Sequence, residues 1–586
     1  MTSGILRGLS FSIILTVAIF AQNEWQTEFE KSGFVATSTY SQTDEYFSGL
    51  AKVSKFAQYS TIGVSPQGRD IKLFTVSKDK AFTPADAAKS GKPVLLIING
   101  IHSGEIEGKD ASMMFLREML VEGKHSALLD NVIFLIVPIF SVDGHERASS
   151  YNRINQDGPV NMGWRTTARN LNLNRDWTKA DAPEMQAMLK MVSKWSPDFI
   201  IDNHTTNGAD YQYTVTYGLE RFGNMAPNIA KLVERSFLPF LIENVESAGW
   251  LMSPYVGFKN NRVEEGLLEW ASVPRFSNGY MASKNRICLL VETHMMKPYK
   301  ERVFATKKVI ETAANYLVIS GKMVIEENRK ADNNISQYLG KEGKWLPIKF
   351  ALKDTALKTY SFKGIEAVVE KSDISGGDKL VYTGKKFEKV IPYFDQVHAV
   401  DSVRVPAGYL IPAEYEDIVE KAKLHGIKVE KLDSPRKLKV ERFRFHDHKF
   451  APYTFEGRTR VTFGHDSQIE EITAPAGSFF ISCNQATLKL VVYLFEPKSD
   501  DSYLAWGFFN QIFEQKEYYE DYVMERLAPD ILKNDPQLKK DFEEKLATDE
   551  KFRNNPDARL NFIYKRSPYF DKNYCVYPIL RVLELI

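Results

Sequence analysis

Lys92-Pro93-Val94-Leu95-Leu96-Ile97-Ile98-Asn99-Gly100-Ile101-His102-Ser103-Gly104-Glu105 is the stretch on which the fold turns. An unbroken aliphatic run over residues 94–98, opened by a proline and closed by Asn-Gly, predicts a strand buried on both faces rather than one that alternates between core and water. Helical spacing follows over residues 105–120, so the stretch is a strand-to-helix junction, with Gly100 and Gly104 permitting a tight bend. The texture recurs. Residues 132–137 form a second apolar run stopped by Pro138, residues 198–201 a third after a helix over 182–194, and residues 287–291 a fourth. Short buried strands alternating with helices predict an α/β sheet covered on both faces between about residues 91 and 292. The polar residues fall in one place in this pattern: His102 follows the first strand, His204 the third and Glu292 the fourth. Open α/β sheets bind ligands beyond the carboxyl ends of their strands, so the three side chains are expected on one rim.

The rest of the chain bounds the answer. At 586 residues it exceeds the size one hydrophobic core serves, and two or three domains are expected. Hydrophobic residues make up 44%, charged residues 26%, and the formal charge is only +1, which points away from nucleic acid or an anionic membrane as partner. Arg7 precedes an apolar run over residues 9–20, followed by Ala21 and Gln22-Asn23-Glu24, the pattern of a signal peptide over residues 1–21. That run is shorter than the roughly 20 residues a bilayer-spanning helix needs, so export without a membrane span in the mature chain is expected, to a secreted or periplasmic location. Cys288, Cys483 and Cys575 allow at most one disulfide and read as small buried hydrophobes. A helix over residues 305–328 is expected to close the first domain, residues 22–330. Beyond it, Gly- and Asp-interrupted strands predict a strand-rich accessory domain at 331–480. Helical patterns punctuated by Pro529, Pro536 and Pro556 predict separate short helices at 481–586.

Chemistry concentrates in the first domain. A catalytic zinc takes three imidazole or carboxylate ligands and leaves a fourth position for water. His102 and Glu105, three residues apart, and the distant His204 in Asp202-Asn203-His204 are the candidate ligand set. These residues resemble the metal site of the carboxypeptidase A-like zinc metallopeptidases, a His-x-x-Glu pair followed by a distant His. The family's substrate-binding Asn-Arg pair is matched by Asn174-Arg175, and its catalytic Glu on a late strand by Glu292 in Leu289-Leu290-Val291-Glu292. Pro138-Ile139-Phe140-Ser141-Val142-Asp143-Gly144 is similar to a further family segment, with Ser141 in place of Asn. The resemblance spans about residues 40–320.

What it implies is an α/β fold with a mixed, largely buried sheet and helices on both faces, followed by a mixed α/β accessory region. One zinc ion per chain would be held by His102, Glu105 and His204, and Glu292 would serve as general base. Arg165, with Arg169 as the neighbouring candidate, would face the oxyanion. Asn174 and Arg175 would take the terminal carboxylate of a peptide or protein, with Tyr280 as a further substrate-binding candidate. Two positions depart from the family. Asn172 stands where an Asp usually orients a ligand His, with Asp202 as the candidate replacement, and Tyr280 lies nearer Glu292 than the family's mobile Tyr. Two other functions fit the same residues: a zinc amide hydrolase acting on N-acyl amino acids or cell-wall peptides, and an inactive zinc-dependent binding module.

Overall fold

The structure is a computed structural model and describes residues 25–206, 208–334 and 345–585. The expected signal peptide, residues 1–21, lies outside the described residues. The chain divides into two compact units. The first runs to Tyr409 and takes in Ala413–Lys431 and Phe479–Ser502. The second consists of Leu410–Pro412, Leu432–Ser478 and the chain from Tyr503 onward.

The first unit is organised by an eight-stranded sheet. Its strands are β1 (Ala57–Val64), β2 (Asp70–Val76), β3 (Val94–Ile98), β4 (Ile133–Val137), β5 (Phe199–Thr206), β6 (Val215–Leu219) and β7 (Met252–Pro254). A two-residue strand, β8 (Leu267–Leu268), pairs elsewhere, and β9 (Ile287–His294) completes the sheet. The order is β1-β2-β4-β3-β5-β9-β6-β7. Strands β4, β3, β5 and β9 are parallel, while β1, β2 and β6 join antiparallel, so the sheet is mixed. The parallel centre explains the sequence texture: Val94–Ile98 and Ile133–Val137 are buried at every position because each strand is covered on both faces. Leu95, Ile97, Phe134, Ile136, Phe199 and Ile201 share one core with the helices Glu107–Leu120 and Tyr299–Asn333. On the other face, which takes Leu96 and Ile98, the helix Pro183–Trp195 lies against β1. Proline at the first turn suits that helix, where an N–H would have no partner.

Three expectations are corrected. Strand β5 does not stop at residue 201 but runs through His204 to Thr206, and β9 runs through Glu292 to His294. The reason is tertiary: the two strands pair in parallel register over their full length, Phe199 opposite Ile287 to Thr206 opposite His294, which overrides the poor strand propensity of Asp202-Asn203. The closing helix starts six residues earlier than residue 305, at Tyr299. Pro536 and Pro556 do open helices, behind Asp535 and Asn555 caps, but Pro529 lies inside the helix Asp521–Asn534 rather than between helices. The three cysteines are buried and unpaired with one another.

Beyond the sheet, the first unit contains the hairpin Lys358–Lys371 with Asp378–Phe394, whose second strand pairs with β8. It also contains the wholly buried helix Leu488–Phe495. Lys489 on that helix donates to the Asn224 carbonyl at 3.1 Å and to Asn285 Oδ1 at 3.0 Å. The second unit contains the hairpin Arg436–Phe450 with Val461–Ala474 and a small helical core around Met524, Leu538, Phe542, Phe552 and Ile563.

Candidate active site

The bend after β3 is made by Gly100, whose φ of +65° is open to glycine at no steric cost. It turns the chain so that His102 and Glu105 stand above the strand ends before the helix Glu107–Leu120 begins. His204 comes to the same place from β5, and Glu292 from β9 directly opposite it in the strand register. Four side chains separated by up to 190 residues of chain thus share one cavity of about 980 Å³, lined also by Arg165, Asn174, Arg175 and Tyr255.

His102 Nδ1 lies 3.1 Å and His204 Nδ1 3.0 Å from the same oxygen, Glu105 Oε2. All three residues are buried. The outer nitrogens decide what faces inward. His102 Nε2 is 2.9 Å from Asn172 Oδ1, and that atom is fixed as the amide oxygen because it also accepts the Asn174 backbone N–H at 3.0 Å. His204 Nε2 is 3.0 Å from the Asp202 carboxylate. His102 therefore carries a proton on Nε2, and the Nδ1 of each ring faces the Glu105 carboxylate. Two imidazole nitrogens and a carboxylate oxygen thus converge, which matches the donor set of a catalytic zinc. Burial keeps His102 neutral, with its pKa down to about 4. Burial also opposes charge on His204, but the Asp202 and Glu105 carboxylates outweigh it and pull its pKa well up. Here too the surroundings draw in positive charge.

Asp202 supports His204 and not His102; Asn172 is the partner of His102. Burial raises the Glu292 carboxyl, His204 acts against the rise, and Glu105 and Asp202 add to it. Glu105 Oε1, the outward oxygen, meets Arg153 Nη2 at 2.6 Å and Arg165 Nη1 at 3.2 Å. The Arg165 side chain remains 42% exposed in the cavity. Arg169 does not line it. Asn174 is held by the Ser277 N–H, which donates to its Oδ1 at 3.1 Å. The Arg175 guanidinium lies 4.3 Å over the Phe276 ring and donates to the Asn174 carbonyl.

Tyr280 is the exception. It is fully buried on the helix Ser277–Ser283, packed on Trp177, with its hydroxyl 3.0 Å from His425 Nδ1, and it does not line the cavity. The structure thus places Tyr280, expected at the substrate, in the core and away from the cavity, on a helix whose residues are all buried. The tyrosine that does line the cavity is Tyr255, just past β7, edge-on to Trp270 at 4.9 Å. Neither Tyr255 nor Arg153 was legible beforehand, since each sits in a loop whose only signal was its neighbourhood in space. A second cluster of metal-type ligands, Glu118, His125 and Glu311, already has its cation: Lys307 Nζ lies 2.7 Å from Glu118 and 2.5 Å from Glu311.

Residues 44–219 match the family model for zinc carboxypeptidases. The chain carries a zinc carboxypeptidase domain. Carboxypeptidase 2 of Trichophyton rubrum is 21% identical over 478 residues, 78% of this chain and 81% of that protein. Carboxypeptidase 2 of Trichophyton equinum is 21% identical over 463 residues, 76% and 78% of the two chains. Among solved structures, a putative carboxypeptidase A from Shewanella denitrificans is 18% identical, covering 49% of this chain and 69% of its own, at a TM-score of 0.37. Carboxypeptidase A from Helicoverpa armigera is 17% identical, covering 49% and 74%, at 0.36. The zinc carboxypeptidase domain includes His102, Glu105, Asn174, Arg175 and His204, while Glu292 lies beyond the matched residues. Among the described residues no helix is long and apolar enough to cross a membrane.

Proposed function

We propose that this metallocarboxypeptidase-family enzyme hydrolyses the last peptide bond of substrates with a free C-terminal carboxylate, using one zinc ion held by His102, Glu105 and His204. The observation that carries the reading is the convergence of two imidazole nitrogens and a carboxylate oxygen, with Glu292 one strand away in register. When bound, zinc supplies Lewis-acid polarisation of the scissile carbonyl and acidifies water. Glu292 takes the proton of the attacking water and delivers it to the leaving nitrogen; its burial suits a carboxylate that must hold a proton between those two steps. Arg165, exposed in the cavity, faces the oxygen on which negative charge develops. Arg175 presents its planar fork to the terminal carboxylate, with Asn174 beside it. The apolar run behind Arg7 supports export of the mature enzyme.

The test is a mass-spectrometric digest of a mixed peptide library by zinc-loaded protein, beside a Glu292→Gln variant and C-terminally amidated copies of the same peptides. Ladders shortened from the C-terminus, absent with the variant and with the amides, are expected. Intact peptides in the presence of bound zinc refute the reading and leave the amide hydrolase or the binding module.

A further inference from the structure

The segment between Arg147 and Trp164 closes on itself and then on the metal site. Ser149 and Met162 exchange backbone hydrogen bonds at 3.0 and 3.1 Å, and Asn152 Nδ2 donates to the carbonyls of Arg147 and Met162. Inside this closed segment Arg153 adopts a φ of +55°, a conformation costly for a residue with a side chain and one that persists where surroundings enforce it. The enforcement is visible. Gln156 Nε2 donates to the Gly104 carbonyl at 2.7 Å, and Gln156 Oε1 accepts from Arg153 Nε at 3.3 Å. The stem of Arg153 lies across Gly104, where a Cβ would stand 2.5 Å from Arg153 Cγ and 2.8 Å from the Gly163 carbonyl. Position 104 therefore has no room for a side chain while Arg153 is in place. The guanidinium ends on Glu105 Oε1 at 2.6 Å, its side chain only 17% exposed.

Resting on the zinc reading above, we propose that Arg153 is a positioning residue for the metal site. It holds the outer oxygen of Glu105 in a charge-assisted bond, which fixes the carboxylate with Oε2 toward the two imidazoles. Of the two arginines on Glu105, Arg153 is the closer and the less exposed, at 2.6 Å and 17% against 3.2 Å and 42% for Arg165. The two divide the work: Arg153 fixes the ligand, and Arg165 keeps its remaining donors for substrate.

The experiment compares the full chain with Arg153→Met, Arg153→Lys and Gly104→Ala. Zinc affinity is measured by competition with a chromogenic chelator, and ligand geometry by the visible spectrum of the cobalt-substituted protein. Arg153→Met is expected to bind zinc about 10–100-fold more weakly, the usual cost of a lost partner behind a ligand, with a changed cobalt spectrum. Arg153→Lys should recover part of the affinity. If Arg153→Met does not fold, Arg153→Lys carries the test, and Gly104→Ala, whose Cβ would meet both the Arg153 stem and the Gly163 carbonyl, should weaken binding as well. Wild-type chain that binds zinc tightly, with variants of equal affinity and identical cobalt spectra, overturns this inference and leaves the zinc reading standing. Wild-type chain that binds no zinc overturns both.

Discussion

Replacing Tyr280 with Phe separates a structural tyrosine from a substrate-binding one. The hydroxyl of Tyr280 is buried and meets His425 Nδ1 at 3.0 Å. His425 is itself fully buried and neutral, its pKa held down to about 3 by burial and by the nearby Lys284 and Lys421. Removing the hydroxyl takes the partner from a buried imidazole nitrogen. An unsatisfied buried polar group costs about 1–3 kcal/mol. Since about 1 kcal/mol moves the melting temperature by roughly 2–4 °C in a domain of 150–250 residues, a fall of a few degrees is expected for this larger unit. Steady-state hydrolysis of a C-terminal dipeptide reporter should stay within about twofold of wild type in kcat/KM, because the side chain never reaches the cavity. An unchanged melting temperature together with a tenfold or larger loss of kcat/KM would refute the reasoning and return Tyr280 to the substrate.

Stripping metal with a chelator should abolish activity, and zinc at about 100 times its dissociation constant should restore it while adding about 2.7 kcal/mol of stability, read as a rise in melting temperature. Arg175→Ala should raise KM roughly 10- to 150-fold for free-acid peptides, the equivalent of about 1.5–3 kcal/mol for charge-assisted hydrogen bonds, and should erase the preference over peptide amides. A preserved preference would move the carboxylate site elsewhere. His145 and His294 are held neutral to about pH 4 and His425 to about pH 3, chiefly by burial. Between those values and the unfolded value near 6.5, the unfolded chain binds more protons, so stability falls as pH drops through that window. Urea midpoints taken from pH 6.5 to 4.5 should show this, and His425→Gln should lessen the slope by about one proton.

Local sequence determined much of this protein. A short aliphatic run that never alternates, bounded by Pro or Asn-Gly, reads as a strand covered on both sides, so Val94–Ile98 and Ile133–Val137 announced the buried sheet, and the Gly-rich bend behind Val94–Ile98 placed His102 and Glu105 at its rim. The order of His102, Glu105, Asn174-Arg175, His204 and Glu292 along the chain carried the family likeness.

Only tertiary structure decided which polar groups serve one another. Register between two parallel strands set His204 opposite Glu292, and no pattern within either strand contains that register. The pairing of Asn172 with His102 and of Asp202 with His204 depended on the direction of two rings. Tyr280 and Tyr255 differ for a similar reason: the packing around a wholly buried helix encloses one, while a loop brings the other into the cavity. Arg153, 48 residues from Glu105 in sequence, reaches it only because Gly104 leaves its path clear. Strand and helix patterns are written in neighbouring residues, whereas a site is written in distances between residues that the chain keeps far apart until it folds.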